Sequence, residues 1–227
     1  MGLRLIDLSQ EIYQGMPVFP PHQKTMIFSN MSHEESKEKL GFEFATNNLL
    51  INEHGPTHSD ATYEYDRNGK TIDEMPLEYF YGPAICLDVS YVSPDSYITA
   101  SILQEELKRS GLFIERGDIV LLHTGHYARS YGKEEWLTRH AGLDYGAGEW
   151  LAKQGVVNIG VDAPSIDNPA DMSYAGHLIC REYGMTNTEN MCRLDEVINQ
   201  RFLYFGLPLK IRRGTGSPVR AVAVLID

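Results

Sequence analysis

Cysteine is scarce in this chain. The three present, Cys86, Cys180 and Cys192, leave an odd count with no CxxC spacing. A disulfide framework is thereby excluded, and a reducing compartment is expected. Long apolar runs are also missing, so no segment is long enough to span a bilayer. The stretch Met1-Gly2-Leu3-Arg4-Leu5-Ile6-Asp7 has no apolar centre of the kind a secretion signal carries. Ile6 stands where a myristoylation signal needs Ser or Thr. These absences lead us to expect a soluble, cytoplasmic protein. Positive charge is in short supply as well, with 20 Lys and Arg against 31 Asp and Glu, a formal net charge of -11. A nucleic-acid binder needs a basic face, and docking to an anionic membrane needs basic clusters, so neither partner is expected.

The chain has 227 residues, 42% of them hydrophobic, which permits a substantial core. No linker, repeat or low-complexity segment divides it, so a single domain over residues 1–227 is expected. Its 20 Gly, 11 Pro and 13 Tyr point to many turns and a strand-rich fold. Leu3 to Ser9, Phe42 to Asn52, Ala84 to Val89, Asp118 to Thr124, Val156 to Val161, Leu203 to Ile211 and Val219 to Ile226 read as strands. Thr99 to Ser110 is the clearest helix, with Thr99 or Ser101 as cap and Gly111 as stop. Shorter helices are expected over 147–153, 174–182 and 194–197. Residues 30–40 read as an exposed loop or short helix, and 63–69 as a turn-rich return.

One stretch concentrates chemistry: Glu53-His54-Gly55-Pro56-Thr57-His58-Ser59-Asp60. His54, His58 and Asp60 offer two imidazoles and a carboxylate, the donors a borderline divalent cation takes. Gly55 and Pro56 disfavour a helix, so the two His belong on a strand-to-loop bend. Taken singly, each is an ordinary polar loop residue; together they make a candidate metal site. A catalytic cation needs donors from elsewhere too, and His123, His126, Asp162, Asp167, His177 and Glu189 all qualify. His123 and His126 form a rival pair at a strand end. Spacing alone does not choose among them.

Resemblance narrows the choice. His54-Gly55-Pro56-Thr57-His58-Ser59-Asp60 is similar to the His-x-Gly-Thr-His-x-Asp motif of the cyclase family of metal-dependent hydrolases, which includes bacterial kynurenine formamidases and isatin hydrolases. Further markers follow in order through nearly the whole chain: Asp7-Leu8-Ser9, Gly15-Met16-Pro17, Thr124-Gly125, Gly160-Val161-Asp162, and Gly216-Ser217-Pro218. The resemblance implies an α/β (α+β) architecture, the swivelling β/β/α cyclase-type fold with mixed sheets and flanking helices. It implies His54, His58, Asp60, His177 and Glu189 as ligands of one or two divalent ions per chain, Zn or Mn. It also implies hydrolysis of an amide in a small-molecule substrate, and a homodimer or homotetramer.

The chain departs from the pattern at three places. Pro56 replaces a Gly, Thr62 replaces a Pro, and Glu64 stands where the formamidases have a proton-moving His. A carboxyl of tuned pKa also serves as general acid or base, so Glu64 is a catalytic candidate. His126 is a second one, as an alternative source of the relay. Phe19 and Phe80, the latter within the run Tyr79 to Tyr81, are candidates for contact with a flat substrate. The competing expectation is a binding protein without turnover, its relay lost with the His.

Overall fold

The computed structural model describes residues 2–226. Thirteen strands are described: β1 (Leu3–Asp7), β2 (Met26–Met31), β3 (Thr46–Leu50), β4 (His58–Asp60), β5 (Tyr81–Asp88), β6 (Tyr97–Ile98), β7 (Ile119–His123), β8 (Gly142–Leu143), β9 (Asn158–Val161), β10 (Thr186–Glu189), β11 (Arg201–Phe205), β12 (Gly216–Pro218) and β13 (Val222–Ile226). The α-helices are α1 (His33–Leu40), α2 (Thr62–Tyr65), α3 (Ala100–Ser110), α4 (His126–Ser130), α5 (Tyr145–Gln154) and α6 (Ala175–Tyr183).

Nine strands form one mixed sheet in the order β1-β13-β11-β5-β7-β9-β10-β4-β12. The centre, β5-β7-β9-β10, is parallel. The flanks are antiparallel, with β1, β13 and β11 on one side and β4 and β12 on the other. The expected mixed sheet with flanking helices is therefore the fold observed.

Strands β5, β7 and β9 of this parallel centre are covered on both faces, which calls for nearly continuous apolar sequence, whereas β10 is polar throughout. Side chains alternate across it with period two. Ile85, Leu87, Val120, Leu122, Ile159 and Val161 face one core, where Leu103 of α3, Leu151 of α5 and Ile179 of α6 pack. Ala84, Cys86, Ile119 and Leu121 face the other, against Leu8, Phe202 and Tyr204. A fully buried Leu or Ile of this kind contributes about 1.5–3 kcal/mol. Gly160 has no room for a side chain: a Cβ there would strike Leu121 Cδ2 and Met191 Sδ.

The caps explain where helices begin and end. Thr99 Oγ1 accepts from the Ile102 N–H, and Gly111 closes α3 with φ 72°. Asp144 Oδ1 accepts from the Ala147 N–H at 2.6 Å to open α5. Ser32 and Glu35 form a reciprocal capping box at α1.

Several expectations are revised. The strand expected over Phe42 to Asn52 shortens to β3 and pairs with β2, which lies in a stretch given no strand. The return after Asp60 opens on α2 rather than on a turn. Strands β10 and β12 fall in stretches given no strand. The last two matter most, because β4 is held between them.

Candidate metal centre

The site begins as a register. β4 runs antiparallel to β10 with His58 opposite Glu189 and Ser59 opposite Thr188. Period-two alternation then puts His58 and Asp60 of β4 on the same face as Glu189 and Asn187 of β10. On its other edge β4 pairs with β12, where Gly216 lies opposite Asp60. A Cβ at Gly216 would come 2.6 Å from His54 Cε1, so only glycine lets that ring fold over Asp60. His177 arrives from α6. Its position follows from the loop after β9, whose Asp167 accepts the Gly176 N–H at 2.5 Å.

Three imidazoles point inward, and each has its outer nitrogen held. His58 Nδ1 donates to the Pro56 carbonyl at 2.8 Å. His177 Nδ1 donates to Asp167 Oδ2 at 2.5 Å. His54 Nε2 donates to Thr215 Oγ1 at 2.9 Å, and the Thr215 hydroxyl donates to Glu53 Oε2 at 2.7 Å. A carbonyl or carboxylate acceptor outside fixes the ring's proton there and leaves the inner nitrogen as a lone pair.

Those inner nitrogens face carboxylate oxygens. His54 Nδ1 lies 2.9 Å from Asp60 Oδ1 and 3.6 Å from Glu64 Oε1. His58 Nε2 is 3.3 Å from Asp60 Oδ1 and 3.6 Å from Glu189 Oε2. His177 Nε2 is 3.5 Å from Asp60 Oδ2 and 3.8 Å from Glu189 Oε1. Lone pairs set against anionic oxygens repel unless a cation lies between them. Protonating every ring would supply charge, but the His54 and His58 rings are only 5.0 Å apart and would repel as a pair of cations. A divalent ion satisfies nitrogen and oxygen donors at once, so the donor set fits a metal. The donors form two sets, His54-His58-Asp60 and Asp60-His177-Glu189, each with its ligand atoms within 4.8 Å of one another. Asp60 belongs to both.

The titration behaviour has the same origin. With no ion bound, protons on the inner nitrogens stand in for one: burial raises Asp60, but hydrogen bonds from His177, His54 and His58 outweigh it and hold the carboxyl well below its ordinary value. Burial lowers His58, yet Asp60 and Glu189 leave it raised. His177 is raised well above its ordinary value, burial being overcome by Asp167 and Asp60. Burial first, and the Asp60 charge second, push Glu189 up. The same two causes push Glu64 up to about 10. This is the response of crowded carboxylates competing for positive charge, and a bound cation reverses it.

The centre lies at the floor of a cavity of about 710 Å³. Glu64 and Tyr65 of α2, Phe19 at the mouth, and Pro164, Met172 and Leu178 contribute to its wall. Phe19 is half exposed there, free to meet a ligand.

A sequence model of the family described as "Putative cyclase" matches residues 6–168, more than half the chain. The chain belongs to the cyclase family. It is 29% identical to the kynurenine formamidase of Bacillus cereus over 217 residues, 96% of this chain and 95% of that one. It is 30% identical to the kynurenine formamidase of Salinibacter ruber, with 97% of each covered. An isatin hydrolase bound to the product analogue thioisatinate superposes with TM-score 0.89 at 23% identity, over 99% of this chain and 93% of that one. Isatin hydrolase A from Ralstonia solanacearum gives TM-score 0.87 at 26% identity, over 99% and 92%. The first of these two structures speaks to the fold alone.

Within this cyclase-family chain, His54, His58, Asp60, His177, Glu189 and Glu64 come together, and Phe19 shares their cavity. Two candidates lie elsewhere. His126 is fully buried in α4, stacked 4.9 Å from Trp136 with its Nε2 donating to the Trp136 carbonyl at 2.9 Å. Gly125, with φ 69°, turns the chain away at the end of β7 and carries that ring into the packing. Phe80 is fully buried among Ala61, Ile72 and Met75, behind the site rather than facing it. The rival His123 pairs with Asp88 at 3.2 Å, and Asp162 accepts the Thr124 N–H and hydroxyl.

Other residues enter that the sequence did not single out. Asn187 Nδ2 donates to Asp60 Oδ2 at 2.6 Å and to Glu189 Oε1 at 3.1 Å. Thr215 orients His54, and His22 sets its ring 5.8 Å from the His54 ring at the cavity wall. Only Asn187 left a trace, as the residue two before Glu189, and that spacing is informative only once β10 is known to be a strand.

Proposed function

We propose that this chain is a metal-dependent amidohydrolase. Its substrate is an aryl formamide, such as N-formylkynurenine, or a cyclic amide. The relatives' names and the near-complete coverage support the reaction class. The observation that carries it to this site is the set of three inward imidazole nitrogens facing Asp60, Glu189 and Glu64 across 2.9–3.8 Å. His54, His58 and Asp60 would hold one Zn or Mn ion, and Asp60, His177 and Glu189 would hold a second.

A cation held there would supply two things, a water whose pKa falls from about 16 to roughly 7 and polarisation of an amide carbonyl. The chain's own residues do the rest. Phe19 and the apolar wall seat a flat substrate. Glu64, its side chain 30% exposed to the cavity, takes the proton of the attacking water. Water oxygen bonds to the carbonyl carbon, the C–N bond breaks, and Glu64 passes the proton to the leaving nitrogen. The products are a carboxylic acid and an amine. Glu64→Gln removes the transfer without removing a ligand, so kcat on formanilides or cyclic amides should fall by about 10²–10⁴-fold with metal content retained. Unchanged turnover would remove Glu64 from the reaction. No turnover of any such amide by the metal-loaded wild type would favour a binding protein.

A sheet that pairs β1 with β13 supports one domain from end to end. Three buried free thiols support a cytoplasmic location. No described helix is long and apolar enough to cross a membrane. The uncovered β2–β3 arm supports a homodimer or homotetramer.

A further inference from the structure

The cavity wall is unevenly charged. Glu64, Asp167, Asp171 and Glu189 all line it, and Arg181 is its one Lys or Arg among the described residues. Three of those carboxylates have other partners, Glu189 accepting from Asn187 and from the Ile166 N–H. Asp167 is held by His177 and the Gly176 N–H, and Asp171 accepts the Ser173 N–H. Arg181 forms no ion pair among the described residues, although the chain carries 31 acidic residues. Its place on the helix is specific. Arg181 stands four residues after His177 on α6, so the two side chains share a face. Neighbouring positions on such a face have Cβ atoms roughly 5–6 Å apart. His177 points to the cavity floor, and Arg181, itself solvent-exposed, lines the same cavity. Leu178, Met172 and Pro169 supply apolar wall.

Resting on the reading of the site as an amidohydrolase centre, we propose that Arg181 selects substrates whose end remote from the amide carries an anion, a carboxylate above all. A guanidinium presents a planar fork of donors that a carboxylate oxygen pair matches. Its charge is the one fixed attraction for an anion on a wall whose other charges repel one. The substrate class is then an amide with an apolar body, its carbonyl at the metal centre and a carboxylate at the opening. A neutral aryl amide of the same shape fits the same volume without that contact. Arg181 acts on recognition, so its loss shows in KM for charged substrates rather than in kcat.

The test pairs kinetics with a binding measurement on the metal-loaded full chain. The substrates are 4-formamidophenylacetate and its uncharged methyl ester. Arg181→Gln should raise KM for the carboxylate at least ten-fold with kcat kept, and leave the ester unchanged. Arg181→Lys should restore part of the loss, and Arg181→Glu should reverse the preference. A parallel calorimetric titration uses benzenesulfonate, an anion that binds metals weakly, and methyl phenyl sulfone, its neutral counterpart. Wild type should prefer the sulfonate, and Arg181→Gln should abolish that preference. Equal effects on charged and neutral compounds in either assay, or none, would overturn the proposal. If wild type hydrolyses neither formanilide, the amidohydrolase reading fails, and the sulfonate titration still decides whether Arg181 selects anions.

Discussion

Asp60 is the residue on which the rest of the centre depends. It is 1% exposed and meets all three imidazoles through its two oxygens. Holding a buried carboxylate in that orientation requires a donor, and Asn187 supplies it from the next strand while also touching Glu189. Residues that orient metal ligands carry roughly 10–100-fold in affinity. Asn187→Leu should therefore weaken metal binding by a factor of that order, read by competition with a chelator of known affinity. Unaltered affinity would make Asn187 mere packing. His140 makes a second prediction. It is 2% exposed, and burial, reinforced by the neighbouring His126, pushes it down to about 4. In the unfolded chain a His titrates near 6.5. Between those values the unfolded state binds more protons, so stability rises with pH across that window. The contribution is complete above about 6.5 and is lost as pH falls toward 4. At pH 5 the deficit is about 2 kcal/mol. Urea unfolding at pH 7 and pH 5 should show that extra loss in wild type and its absence in His140→Gln. Equal losses in the two proteins would contradict a neutral buried His140.

At the scale of elements, legibility followed the kind of residue that fills each one. Helix α3 was readable because Thr99 and Gly111 mark its ends chemically, and β7 because Ile-Val-Leu-Leu can only be buried. Strand β10 was not. Its sequence is Thr-Asn-Thr-Glu, and all four residues are buried. Polar side chains reach the interior only when neighbours satisfy them, as Thr186 Oγ1 does by donating to the Asp60 carbonyl and Thr188 Oγ1 by donating to Asn158 Oδ1. That satisfaction comes from distant chain segments, so no local pattern carries it. His54, His58 and Asp60 were legible from their donor chemistry and His177 and Glu189 from the wider family resemblance, while the register of β4 against β10 that joins them had no sequence signal. His126 shows the converse failure: chemistry was assigned to a residue whose fate was decided by packing on Trp136. The β2–β3 arm makes a prediction of its own. Phe28, Leu49 and Leu50 are about half exposed on it, and an isolated pair of strands is marginal in water. If a second copy covers it, Phe28→Ser should shift the light-scattering mass toward the monomer. A wild type that is already monomeric would refute that cover.

For the whole molecule, the two cores and the metal centre share one sheet. The apolar centre, β5 to β9, needs nothing but burial to hold it. The polar flank, β10-β4-β12, instead crowds carboxylates and imidazoles whose mutual repulsion costs stability until positive charge arrives. Metal binding should accordingly be linked to folding, since an ion that binds only the native state stabilises it by mass action. The measurement that tests this account most directly is elemental analysis of protein purified without a chelating tag, alongside His58→Ala and His177→Ala. The account predicts roughly one to two divalent ions per wild-type chain and a loss in both variants, since each breaks a ligand set that shares Asp60. Absence of metal from every sample, even after reconstitution with Zn²⁺ or Mn²⁺, would contradict it.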